Sequence, residues 1–407
     1  MRAFEDLRVI DATHVLAGPF AAYQMAVLGA DVIKVERPGD PDQVRLQGSD
    51  RDLSKAQMGT TYLAQGANKR SVAIDLTTPG GRRVMRALLR TADVFVENYR
   101  PGALAAHGLG YAEIAKINPR IVYCSVSAFG QTGPRGTETG YDFVFQAVAG
   151  LMSLTGTPET GPLRTGAPVV DYATGYMAAY AISAALFHRE RTGRGQHIDL
   201  AMFDATLMLM STHVTGLTAG GMAPHPEGNR FNVAGVGAYQ TADGLLMLGA
   251  ANMRQQRRLW QALDRPDMVK TRHADRIDAH AEEAAVLRTV MMSRSASYWE
   301  AFLRDHGVPA GKVRPMDEAL RDPQLASRGV LQPVARPLGR GGTYDVPVAP
   351  FLMSEGNPSV ETPPPVPGQH SREILAGAGF DPAQIAELIR EGAIVEGEPV
   401  TAGLSES

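Results

Sequence analysis

Residues 7–38 read LRVIDATHVLAGPFAAYQMAVLGADVIKVERP. Residues 7–14 form an apolar run that ends on a polar residue, His14, as a buried strand would. Gly18-Pro19 then opens a helix through FAAYQMAVLG, with proline at a tolerated first position. Residues 30–38 make a second strand, stopped by Pro38. This strand–helix–strand unit is the parallel crossover of an open α/β sheet. Residues 71–76, a helix through RRVMRALLRTA and residues 93–98 repeat it. Helices after Pro101-Gly102 and at 111–117 lead into a further strand at 120–129. Near-continuous Val/Ile runs predict strands covered on both faces. The fold class is therefore α/β, with a Rossmann-like open parallel sheet.

In such sheets ligands bind beyond the carboxyl ends of the strands. Those ends here carry His14, Arg37, Asn98-Tyr99-Arg100 and Phe129-Gly130, a set suited to an anionic ligand with a flat base. No G-x-G-x-x-G follows the first strand and no GxxxxGK[ST] occurs, which removes the dinucleotide fingerprint and the P-loop. A length of 407 residues favours two domains. Net charge of −3 without a long basic run argues against nucleic acid. A single cysteine, Cys124, leaves no internal disulfide or cysteine-based zinc site. No stretch reaches the ~20 apolar residues of a membrane helix. The N-terminus shows no basic-then-apolar leader, so the expected location is cytoplasmic.

Residues 162–205, PLRTGAPVVDYATGYMAAYAISAALFHRERTGRGQHIDLAMFDA, hold the most suggestive carboxylate. An apolar run at 167–170, expected as a strand, meets Asp171, and a helical pattern then continues to Gly193, a suitable C-terminal glycine. Asp171 sits near the positive end of that helix's dipole. Local pattern alone leaves it either a capping carboxylate or a nucleophile in an apolar setting. Residues 206–240 are rich in Gly, Pro and Met. Residues 245–250, a helix at 253–263, a charged helix at 279–293 and SYWEAFLRDHG form a second unit, followed by strand-like pieces after 327, a TPPPVPG linker and a short helix at PAQIAELIREG.

The string DATHVLAGPFAAYQMAVLGADVIKVERPGDPDQVR (11–45) resembles the opening of the class III coenzyme A transferases, which include formyl-CoA transferase and carnitine CoA-transferase, with α-methylacyl-CoA racemase as a relative. NKRSVAIDL (68–76), VFVENYRPGAL (94–104), HRERTGRGQHIDLAMFDA (188–205), GVPAGKV (307–313) and PPPVPGQHSREIL (363–375) match in the family's order. The resemblance implies a large CoA-binding domain built from both chain ends (1–215 and 327–407), a smaller α/β domain (225–325), and two chains interlaced as linked rings. It implies a CoA transfer from an acyl-CoA to a free carboxylic acid, with these and a second copy of the chain as partners and no tightly bound cofactor or metal.

By the same matching Asp171 is the nucleophile. The coenzyme site would involve His14, Leu16, Ala17, Arg37, Ile74, Asp75, Leu76, Thr77, Asn98, Tyr99, Arg100, Tyr141 and Asp142. Backbone amides at the start of the helix after Asp171 could stabilise the developing oxyanion. Leu16 replaces a glutamine of formyl-CoA transferase. Its tetraglycine loop has no clear counterpart, Gly220-Gly221 being nearest, and Ala106 stands where a basic residue is common. The rival enzyme is a racemase, but Tyr141 occupies the position of the racemase histidine, and a phenol is a poor base near neutrality. A non-catalytic CoA-binding protein is the other alternative. Arg45 and Arg51 are expected to be available for a second substrate carboxylate.

Overall fold

The structure, a computed structural model, describes residues 1–397. In chain order its strands are β1 (Arg8–Ala12), β2 (Asp31–Glu36), β3 (Lys69–Ile74), β4 (Val94–Glu97), β5 (Val122–Ser127), β6 (Gln196–Ala201), β7 (Val236–Gln240), β8 (Leu245–Gly249), β9 (Ala310–Lys312), β10 (Leu331–Ala335), β11 (Thr343–Pro347) and β12 (Ile394–Val395). Seven of them form one sheet in the order β12-β3-β2-β1-β4-β5-β6. All its pairings are parallel except β12 against β3. The strand order reverses between β1 and β4, which is where an α/β sheet opens a crevice for ligand.

Alternation explains the coverage on both faces. Ile10, Ile33, Val72, Phe95 and Tyr123 face one core with the Pro79–Thr91 helix and the C-terminal residues Ile374, Ile385, Leu388 and Ile394. Their neighbours Val9, Val32, Val94, Val122 and Cys124 face the other, against α1 (Ala17–Val27) and the long Val169–Thr192 helix. The strand expected at 167–170 does not form. Pro168 precedes the helix, which starts at Val169, so the apolar run is its first turn and Asp171 lies inside it. Conversely, β6 lacks the two-sided apolar run of the other strands: as an edge strand it alternates half-buried with exposed positions and places polar side chains at Gln196, His197 and Asp199.

Two compact units are formed. Met1–Leu151, Arg164–Ala223 and the residues from Gln324 onward make the one that holds the large sheet. Met152–Leu163 and Pro224–Pro323 make the other, where antiparallel β7, β8 and β9 pack on Trp260, Leu287, Trp299 and Leu303. In the first unit the antiparallel β10–β11 pair closes over α1, Val334 and Val346 meeting Phe20, Tyr23 and Val27. No helix among the described residues is long and apolar enough to cross a membrane.

A layer of charge lies buried beneath the strand ends. Arg45 grips Glu36 at 2.6 Å through both Nε and a terminal nitrogen, and its guanidinium lies 3.7 Å from the Tyr62 ring centroid. Lys69 pairs with Asp11 at 2.9 Å and Lys34 with Asp42 at 3.0 Å, all of them fully or almost fully excluded from solvent. Burial pushes the Glu36 carboxyl upward, but Arg45 outweighs it and holds it below the usual range. Arg45, expected to be available for substrate, is thus spent inside the protein, since a guanidinium with no water needs a carboxylate at once.

Glu36→Gln leaves the Arg45 cation uncompensated, and we expect a loss of about 3–5 kcal/mol in urea unfolding. Replacing both partners by apolar residues of similar volume should cost far less. A cost below about 1 kcal/mol for Glu36→Gln would show that the pair does not hold this layer together.

Candidate active site

The crevice at the strand reversal is a cavity of ≈320 Å³ whose lining includes His14, Leu16, Ala17, Asn98, Tyr99, Arg100, Tyr141 and Asp171. Its two sides are stitched by one amide. Asn98, just after β4, accepts from the His14 N–H at 2.9 Å and donates to the His14 carbonyl at 2.8 Å. The His14 ring meets Tyr99 edge-on, centroids 5.7 Å apart. Burial, with Lys34 adding to it, lowers the His14 pKa, so this residue gives the cavity a neutral ring rather than a cation.

Val15, also in the lining, has φ +71, a region a β-branched side chain adopts only when its surroundings dictate it. Asp42 accepts its N–H at 2.9 Å and Gln65 donates to its carbonyl at 2.8 Å. The loop then enters α1, whose first turn has no side-chain cap. Free amides at that positive helix end suit a negative charge.

The long helix reaches the cavity because Gly175 lets it lie against α1. A Cβ there would stand 2.8 Å from the Ala17 carbonyl oxygen and 2.8 Å from a Phe20 ring carbon. One turn earlier, Asp171 lines the cavity at 9% exposure. Its helix has no cap from its own chain neighbour. Asp142 supplies one from a different element: a single carboxylate oxygen accepts the Val170 and Asp171 N–H groups at 2.7 and 3.2 Å, and the other takes Gln146 at 2.5 Å. Burial, with the Asp142 charge adding to it, pushes the Asp171 carboxyl up to about 7. Two adjacent carboxylates therefore divide the work. One is consumed by hydrogen bonds, and the other is left basic and open to the cavity.

The remaining sequence-derived candidates lie apart from this cavity. Ile74 is the buried end of β3. Asp75 takes the Thr77 N–H and hydroxyl at 2.9 and 2.6 Å, and Leu76 packs on the core. Arg37 is exposed and lines a different cavity with Lys55 and Pro367. Arg51 is exposed, at the start of the short Arg51–Lys55 helix. Phe129 serves packing, beneath the Arg135 guanidinium and against Phe145. Val15, Ser127 and Glu138 line the cavity without having been singled out, whereas Met202 heads the Met-rich segment 202–222, whose composition, with Leu16, hints at a less polar acyl pocket. Glu138 sits in an irregular loop, ion-paired with Arg135 at 2.7 Å, for which no periodicity exists to read.

With that geometry in place, comparison with known proteins gives a consistent answer. Residues 4–371 match the family model described as CoA-transferase family III. The human succinyl-CoA:glutarate CoA-transferase is 35% identical over 98% of this chain and 91% of its own length. The acetyl-CoA:oxalate CoA-transferase of Acetobacter aceti is 35% identical over 81% of this chain and 85% of its own. Among solved structures, a CAIB/BAIF family protein from Brucella suis superposes with a TM-score of 0.80 at 31% identity, covering 93% of this chain and 99% of that one. The chain is a class III CoA-transferase, a member of CoA-transferase family III.

Proposed function

We propose that this enzyme moves CoA from an acyl-CoA to a free carboxylic acid through a covalent intermediate on Asp171. The observation that carries the reading is a buried carboxylate of raised basicity, facing the crevice, beside a second carboxylate already spent on hydrogen bonds. Asp171 attacks the thioester carbonyl, CoA leaves as thiolate, and a mixed anhydride remains. The thiolate then attacks the Asp171 acyl carbon, releasing the first acid as carboxylate and leaving an aspartyl-CoA thioester. The second carboxylate repeats the two steps in reverse. Each thioester is exchanged for another, so no net proton or electron is consumed, and one hard exchange becomes several easier displacements. The uncapped start of α1 is the favoured donor for the oxyanion.

His14, Leu16, Ala17, Asn98, Tyr99, Arg100 and Tyr141 would hold the reacting end of the thioester. Arg37 and residues 74–77 would contact the distant phosphates if the coenzyme runs across the sheet edge. Short dicarboxylates are the proposed acids. The human relative is named for succinyl-CoA and glutarate, and Arg100 lines the cavity with no carboxylate partner among the described residues. Arg100 thereby takes over the part expected of Arg45.

The large unit, gathered from both chain ends, is proposed to interlace with that of a second copy. The Ser211–Gly220 helix buries none of its residues, and Tyr180, Phe187 and Met208 are 78%, 67% and 63% exposed. Apolar helix surface of that kind marks an association face.

Asp171→Asn should reduce transfer by at least about a thousandfold, because the missing nucleophile has no substitute. Borohydride trapping during turnover should mark Asp171 in wild type; normal rates in the variant would discard the mechanism. The second expectation concerns pH. Only the ionised carboxyl attacks, so the rate should fall as pH drops through about 7. Asp142→Asn removes the neighbouring like charge, which lowers the Asp171 pKa and moves the acid limb to lower pH. A limb that stays in place would remove Asp142 from the electrostatics of the site. In sedimentation equilibrium the protein should remain dimeric on dilution; an active monomer at nanomolar concentration would exclude interlaced chains.

A further inference from the structure

A cleft of ≈310 Å³ opens in the smaller unit and shares no lining residue with the crevice around Asp171. One side of it is β7. The other is a stripe along the His280–Met291 helix and its end, made by His280, Ala284, Arg288 and Met292 at i, i+4 spacing. Arg230 and Arg288 reach the cleft from exposed positions, so both guanidinium groups open onto it. Neither pairs with a carboxylate among the described residues, and no carboxylate stands in the lining.

The neighbouring acids do not cancel this charge. Glu283, on the same helix, is shut off from solvent within reach of the buried Arg276 cation, and those two offset each other. Glu282 is ion-paired with Lys270 at 3.8 Å and Glu227 with His225 at 3.4 Å. Glu159, in electrostatic reach of Arg230, takes its hydrogen bond from Thr157. The backbone fixes the cleft's shape. The Asn229 carbonyl accepts the Ala238 N–H at 3.1 Å, and a Cβ on Gly237, φ +151, would stand 3.0 Å from that oxygen. Val236, Ala238, Ala284 and Met292 supply apolar surface, while Tyr239 offers only its ring, its hydroxyl donating to the Ala234 carbonyl at 2.6 Å. Two unpaired guanidinium groups beside an apolar wall suit an organic anion, and their fork geometry matches phosphate oxygens.

We propose that this cleft binds a small organic phosphate, a phosphate monoester on a compact apolar body. Its phosphate oxygens would take the Arg230 and Arg288 guanidinium groups, and its body would lie on Val236, Ala238, Ala284 and Met292. The proposal goes beyond the transfer reaction and does not depend on Asp171.

The test uses the full-length protein and follows 4-fluorophenyl phosphate by fluorine NMR. Saturable binding is expected, and both Arg230→Gln and Arg288→Gln should weaken it about tenfold, as loss of a charge-assisted hydrogen bond does. Arg100→Gln, which alters only the catalytic crevice, should leave it as in wild type. Neither 4-fluorophenol, which lacks the phosphate, nor the singly charged 4-fluorobenzoate should bind as well. Thermal unfolding checks the variants; the two cleft arginines are exposed and unpaired, so their loss should leave the melting temperature unchanged. No binding, binding undiminished in either cleft variant, binding lost in Arg100→Gln, or equal binding of 4-fluorophenol or 4-fluorobenzoate would each overturn the site.

Discussion

The Asp142 carboxylate, accepting two amides from the first turn of the long helix, is the interaction on which the catalytic crevice depends. It fastens the loop before residue 142 to the helix that carries Asp171, two segments separated by 29 positions in the chain. Most helices are capped by the residue immediately before them. Here Pro168 has no side-chain donor or acceptor, so the cap comes from elsewhere and brings its charge with it. The same atoms therefore secure geometry and raise the basicity of the neighbour. A local cap could not have done both, because it would have left the crevice wall unattached.

Beneath the crevice the protein tolerates a costly layer of buried ions. Lys34 bonds the Thr13 carbonyl as well as Asp42, and Asp42 in turn accepts the Val15 amide. Burial would raise the Asp11 carboxyl, but Lys34 and Lys69 outweigh it and keep it far below the usual carboxylate range. Such pairs contribute little to net stability against apolar replacements, yet each is strongly directional. Their evident service is to fix a β-branched residue, Val15, in a backbone conformation it would otherwise avoid.

The parallel sheet was legible because its strands carry Val and Ile on both faces, and the crevice could be placed because ligands follow strand ends. Asp171 itself was legible only through resemblance, since a carboxylate in a helix's first turn is ordinary. What escaped has physical causes. An apolar run of four residues fits a strand or a helix start equally, and only the distant Asp142 decides between them. The edge strand β6 lacks the double-sided pattern. Arg45 looked like a surface cation because nothing local announces that Glu36, nine residues away, lies beside it in the interior.

The loops at the sheet's ligand edge share one construction. Asp11 takes the amide of Thr13, Glu97 that of Tyr99, and Asp75 that of Thr77, each acid or its strand ending just before the turn it folds. Glu97 is the odd member: burial pushes its carboxyl up to about 7, against the opposing pull of Ser125 and the Tyr99 amide. Mild acidification therefore relieves the cost of burying the Glu97 charge and firms one rim of the crevice, while the other two, their carboxyls held low, are unchanged. A rim that firms selectively, on the side carrying Asn98, Tyr99 and Arg100, would tighten the thioester's hold over the same pH range in which Asp171 loses its charge.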